Sequence, residues 1–340
     1  MTASPMLVTG ASTHLVDDPG DGDEPADTKD AEESEDMRDL AAVRDALQHI
    51  PSFESGANIG RLDGGLTNRS YRAVSHAGEA VVVRLAGGKS ELLAIDRHAE
   101  CANAAAAAAA GVAPAVLHCD PAAGRSVVQW RAGRTLAPHD LDDPSMLERI
   151  ASACRTLHAG PRFVGDFDML RVQRNYLAVV LDRGFRLPER YLDFAPQVEQ
   201  IAAALSTNPV STRPCHNDLL AANIIDDGNR LWLIDYEYAG NNDPCFELGN
   251  IWSEAALEPD RLEHLVTAYY GRQRPNRVAR ARLLGLMSKY GWTLWAAIQD
   301  AVSEVHFDFW SWGMEKYERA VAEFSGPEFP QLISDVRQPA

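Results

Sequence analysis

Apolar residues along the 340-residue chain change their spacing from region to region, and each spacing predicts a different kind of structure. Residues 1 to 37 have few of them. Asp, Glu, Gly, Ser and Pro dominate there, with too little apolar area to offset the entropy of ordering, so a disordered tail is expected. In "MRDLAAVRDALQHI" the residues Leu40, Val43, Leu47 and Ile50 recur at helical spacing, and Pro51 closes that helix. Between 58 and 86 the apolar runs shorten and are broken by Gly, the pattern of antiparallel strands joined by tight turns. The Ala-rich stretch 91–110 reads as a helix, and "APAVLHCDPAAGRSVVQWRAG" as two further strands around a DPAAG turn. After Gly133 long helical patterns take over, interrupted by short strands and a loop in "RPCHND", "ANIIDD" and "RLWLIDYE". The expectation is a two-lobed α+β architecture: tail 1–37, a lobe 38–132 with a five-stranded antiparallel sheet plus helix, and a mostly helical lobe 133–340.

Charge narrows the partners. The formal net charge is −17, but residues 1–40 hold twelve Asp or Glu against Lys29 and Arg38, which leaves the body only mildly acidic. A nucleic-acid groove needs a basic surface and is excluded, whereas a cationic small substrate is compatible. No window supplies 18 continuous strongly apolar residues, so no membrane insertion is expected. The first residues lack a basic segment followed by a long apolar one, which reads as an unexported, cytoplasmic protein. Five scattered Cys with no CxxC suggest neither a zinc site nor a disulfide framework.

The chemistry concentrates in "CHNDLLAANIIDDGNRLWLIDYE". His216, Asp218 and Asn223 have the spacing H-x-D-x-x-x-x-N, and Asp235 follows an apolar strand. Phosphoryl transfer from ATP needs a carboxylate to orient the acceptor hydroxyl and take its proton, together with oxygen ligands for Mg²⁺. Asp218 fits the base, Asn223 and Asp235 the metal ligands, and His216 a brace for the loop. The same chemistry asks the first lobe for a glycine hairpin over the phosphates, for which Gly64 and Gly65 with Thr67 and Asn68 are candidates, although the pattern also suits an ordinary hairpin. It asks for a strand cation, where Arg84 stands in place of the usual Lys, and for a helix acid to hold it, Glu100 or, less favoured, Asp96. By position, the backbone of Gln129 to Arg131 would meet adenine.

With these residues in view, "GGLTNRSYRA", "VVVRLAGG", "CHNDLLAANII" and above all "LIDYEYAGNNDPCFELGN" resemble the choline/ethanolamine kinase family, relatives of the aminoglycoside phosphotransferases. The resemblance spans about 60 to 320, with Glu247 where the family usually has Asp. It implies a kinase-like fold and an ATP- and Mg²⁺-dependent transfer to the hydroxyl of choline or ethanolamine. It also implies an amino-alcohol pocket lined by Trp292, Trp295, Tyr238 and the aromatic segment holding Phe307, with Glu254 as a nearby acid. A quaternary ammonium has no N–H to donate and is held by aromatic faces, which suits such a cage. On spacing alone, Trp292 and Trp295 share one helical face and read as helix–helix core rather than a cage; the resemblance reverses that preference. Two alternatives stand beside this reading: another small hydroxylated acceptor (aminoglycoside, sugar, thiamine), and a non-catalytic kinase-fold binding module. The second would be marked by loss of Asp218, Asn223 or Asp235, and all three are present.

Overall fold

The computed structural model describes residues 26–62, 65–88 and 90–339. The chain divides into two units, one ending at Gly87 and resuming over Ala115–Arg134, the other comprising Gly88–Pro114 and the chain from Thr135. Residues 88–114, which the sequence reading counts with the first lobe, therefore cluster with the helical unit.

In the first unit, helix α1 (Ala26–Leu47) precedes strands β1 (Ala57–Leu62), β2 (Asn68–Ser75) and β3 (Ala80–Ala86), with β4 (Val116–Asp120) and β5 (Arg125–Gln129) after the interruption. The strands form one antiparallel sheet in the order β1-β2-β3-β5-β4. Alternation decides which side faces in: Val81, Val83 and Leu85 of β3 are buried with Tyr71, Ala73 and Val127, and Val43, Ala46, Leu47 and Ile50 of α1 pack on that same face.

Helix α1 starts at Ala26, inside the stretch expected to be disordered; residues 1–25 of that stretch lie outside the described residues. The sheet supplies what composition does not reveal. Arg69 and Arg61 meet Glu35 and Asp36 at 3.1 and 3.4 Å, and buried Asp39 accepts from Arg69 Nη2 at 2.9 Å and from the Tyr71 hydroxyl at 2.7 Å. Burial, then the bond to Asp39, pushes the Tyr71 phenol up to about 12. The acids that argue against folding in isolation find arginines waiting on the strands.

The second unit holds α2 (Arg97–Ala109), the short strand β6 (Arg134–Thr135) at its border, α3 (Pro144–His158), α4 (Met169–Arg183) and α5 (Ala195–Thr207). Strands β7 (Arg213–Cys215), β8 (Ile224–Asp226), β9 (Leu231–Leu233) and β10 (Gly240–Asn242) follow, then α6 (Pro244–Glu254), α7 (Pro259–Tyr270), α8 (Pro275–Val302), α9 (Phe309–Phe324) and α10 (Phe329–Asp335). Asp96, the less favoured acid of the sequence reading, is the N-cap of α2: its carboxylate accepts from the amides of His98 and Ala99 at 2.9 and 3.1 Å. Helix α8 is buried along most of its length and packs against α4, α6 and α9. Among the described residues, no helix is long and apolar enough to cross a membrane. Cys154, Cys215 and Cys245 are free and buried.

Where α6 crosses α8, Gly249 and Gly285 meet backbone to backbone, and a Cβ on Gly249 would collide with the Ala281 carbonyl and lie 2.8 Å from the Gly285 amide. Overpacking commonly costs about 1–3 kcal/mol. Here the obstacle is main chain, which cannot swing aside, so Gly249→Ala should reach at least the upper end of that range. A denaturation midpoint equal to that of the unaltered protein would show that the helices can part without cost.

Candidate active site

Strand β7 pairs with β10, and β8 with β9, so that the loop 216–223 and the segment after β9 are both held by short ladders. Their ends are fixed from below by Glu247 on α6, which has no exposed surface. Its carboxylate accepts from the backbone amides of His216 at 2.7 Å and Asn217 at 3.2 Å, and His158 Nε2 lies 3.4 Å away. Burial works against the charge of Glu247, but His158 and then His216 outweigh it and hold the carboxyl below the usual range. Asn217 donates to the carbonyls of Tyr238 and Gly240 at 3.0 and 3.3 Å, and accepts from Asn242 at 2.9 Å. The His216 ring contacts the Ile234 carbonyl at 2.7 Å, in keeping with a brace.

Two residues of this framework adopt left-handed backbone: Asn217 at φ +68° and Asp235 at φ +71°. Asn and Asp tolerate this region better than other side chains, yet it remains a strained choice. The positive φ at Asn217 lets the chain turn just before Asp218, and that at Asp235 turns it just after β9. Asn223 is set by its own side-chain amide, which donates to the Asp218 carbonyl at 2.9 Å.

The electrostatics converge on Asp218. Its carboxyl is pushed well above the ordinary range, first by burial and then by the carboxylates of Glu254, Asp235 and Glu237, with the Lys316 ammonium pulling the other way. Glu237 is in turn 3.4 Å from Arg97, and the same guanidinium is 2.7 Å from Glu100. Arg97 thereby ties α2 to the segment that carries Asp235. Its i,i+3 spacing to Glu100 is legible in sequence; its reach to Glu237 is not.

The aromatic residues gather as well. Trp292 and Trp295 of α8 are 4% and 6% exposed and Tyr238 is 8% exposed. Trp295 Nε1 donates to the Tyr238 hydroxyl at 2.9 Å, and the Tyr238 and Trp292 rings meet edge-on at 5.0 Å. Trp312 and Phe309 lie edge-on to Trp295 at 5.5 and 5.8 Å, and half-buried Phe307 leans on Phe309 at 4.9 Å. Glu254 Oε2 accepts from Lys316 at 2.5 Å, and the Lys316 ammonium lies 4.1 Å from the centre of the Trp312 ring.

The remaining candidates belong to the sheet unit, apart from Glu100. Gly65 has φ +92°, and a Cβ there would sit 2.8 Å from the Asn68 carbonyl oxygen, so the turn between β1 and β2 requires glycine. Asn68 donates to Thr67 Oγ1 at 2.8 Å. Gly64 lies outside the described residues. Arg84 is half-buried on β3, opposite Ser70 and Ser126. Gln129 is exposed at the end of β5, its amide bound to the Ala115 carbonyl at 2.9 Å. Spacing passed over Arg97, Glu237, Lys316 and Asn242 and left Trp312 ambiguous; the signals on offer were the i,i+3 spacing of Arg97 and Glu100 and the rarity of lysine, with Lys316 four residues after Trp312 on a helical face.

Comparison with known proteins supplies the family. The model of the choline/ethanolamine kinases matches residues 59–269. Ethanolamine kinase 2 of Mus musculus is 28% identical over 309 residues, covering 80% of this chain and 78% of its own. A choline/ethanolamine kinase family protein from Mesorhizobium loti superposes with a TM-score of 0.76 at 34% identity, covering 88% of this chain and 99% of that one. The aminoglycoside phosphotransferase APH(4)-Ia shares the fold, with a TM-score of 0.61 at 17% identity over 82% of this chain and 99% of its own. With its protein-kinase-like fold and a family match over more than half its length, the chain belongs to the choline/ethanolamine kinases and is a phosphotransferase with an alcohol as acceptor.

Proposed function

We propose that this protein transfers the γ-phosphoryl group of ATP to the hydroxyl of a small amino alcohol of the choline and ethanolamine class, with Asp218 as the base. The observation that carries the reading is the gathering of the carboxylates of Asp235, Glu237 and Glu254 about that of Asp218, whose backbone carbonyl also accepts from the Asn223 amide. Such like charges raise one another's proton affinity, and a divalent cation relieves that repulsion, so the donor set fits Mg²⁺. Asn223 and Asp235 would hold the ion, which would neutralise charge on the phosphates.

Asp218 accepts the hydrogen bond of the acceptor hydroxyl, sets its approach and takes its proton as the new P–O bond forms. Arg84 grips phosphate oxygens. Gly65 and Asn68, with Gly64, form the turn over the phosphates, and the Gln129 strand end meets the base. Tyr238, Trp292, Trp295 and Phe307 wall the amino end of the acceptor, with Glu254 beside them. We place this activity in the cytoplasm, where ATP is supplied.

A coupled assay of ADP release, run over choline, ethanolamine, a sugar, thiamine and an aminoglycoside, tests the assignment. Stimulation should be largest with an amino alcohol. Stimulation by the aminoglycoside or sugar alone would overturn it in favour of the other acceptor class.

A further inference from the structure

The acid and ring that best suit an ammonium ion in this unit already hold one. The Lys316 ammonium lies 4.1 Å from the centre of the Trp312 ring and donates to Glu254 Oε2, and both side chains of that ion pair are more than nine-tenths buried. The pair is also within electrostatic reach of Asp218, on which Glu254 and Lys316 act in opposite senses. Through Trp312, which meets Trp295 edge-on at 5.5 Å, Lys316 stands beside the proposed amino end of the acceptor.

Resting on the amino-alcohol reading above, we infer that Lys316 is a specificity-determining residue, a tethered ammonium that takes the Trp312 face and one oxygen of Glu254 and so selects acceptors carrying at least one N–H over a quaternary ammonium. Two further observations support it. Glu254 Oε1 is buried and has no hydrogen-bond partner in the protein, which leaves one strong acceptor for an N–H of the substrate. The indole donors of Trp292 and Trp295 are committed to Asn250 and Tyr238, and both rings are packed edge-on against neighbours and are 4% and 6% exposed, which leaves little open ring face for a trimethylammonium. A quaternary ammonium would find the Trp312 face taken and would leave Glu254 Oε1 unsatisfied. A protonated primary, secondary or tertiary amine can satisfy that oxygen.

The measurement is kcat/KM on the full chain for ethanolamine and its mono-, di- and trimethylated derivatives, the last being choline. The fall should be steepest, at least tenfold, on the final methyl, which removes the last N–H. Lys316→Gln keeps a donor for Glu254 but removes the charge from the Trp312 face; it should narrow the ethanolamine-to-choline ratio at least fivefold while leaving the KM for ATP within twofold. A flat methyl series would overturn the Lys316 assignment alone, and that series needs no variant to fold. An unchanged ratio in Lys316→Gln with a melting curve near that of the unaltered protein would overturn it too. Absence of turnover with all four amines would overturn the amino-alcohol reading itself, and this assignment with it.

Discussion

Asp218→Asn should lower kcat by about a thousandfold, within the roughly 10²–10⁴ range that a positioned general base contributes. The amide is nearly isosteric with the carboxylate and is surrounded by Glu254, Asp235 and Glu237, so removal of one of the crowded charges should leave folding intact or improve it. The KM for the acceptor should change much less than kcat, since the lost interaction strengthens as the hydroxyl gives up its proton. Steady-state kinetics alongside a thermal melt separate the two effects. Near-normal turnover in a folded Asp218→Asn protein would remove Asp218 from the chemistry and, with it, the main support for the assignment.

The other large effect is expected at Glu247, which touches no reacting atom. Glu247→Ala strips the acceptor from two backbone amides and leaves His158 beside a void, and leaving buried donors unsatisfied costs about 1–3 kcal/mol for each, so a loss of several kcal/mol is expected. For a unit of this size each kcal/mol lowers Tm by roughly 2–4 °C, so a fall near 10 °C is the expected result. Turnover should drop as well, because the loop that presents Asp218 starts at those amides. The contribution also has a pH signature. The folded carboxyl sits below its ordinary value, so its stabilisation is complete above the usual Glu range near pH 4.3 and fades as pH falls below it. Stability measured from pH 7 down to pH 3 should therefore decline less steeply in Glu247→Gln than in the unaltered protein. Equal slopes would mean that the carboxylate is not held as an anion.

The fold was legible because its signals are local. Gly-broken alternation between 58 and 86 marks strands whose register follows from their turns, and the long apolar helix pattern at 275–302 is the buried α8. The spacing of Asp218, Asn223 and Asp235 was legible for the same reason: all three lie on one short stretch whose ladders bring its two ends together. What escaped was set by partners far along the chain. Residues 26–37 look too acidic to fold until Arg61 and Arg69 are seen opposite Glu35 and Asp36. Arg97 and Lys316 are ordinary surface cations by composition, and only tertiary structure puts one against Glu237 and the other against Glu254. Trp292 and Trp295 were open to two readings, and both rings prove tightly packed, with 4% and 6% exposure.

The left-handed backbone at Asp235 carries a consequence for how this sequence can change. Glycine would relieve the φ of +71° at no steric cost, while any β-branched residue would worsen it. On the role proposed for Asp235 as a metal ligand, stability and turnover pull residue 235 in opposite directions. Screening for heat resistance alone would drift toward Gly there and collect well-folded, silent proteins, whereas screening for turnover would hold Asp and tolerate the loss. Stabilised versions of this enzyme are best sought at positions whose backbone is already relaxed, with residues 217 and 235 left as they are.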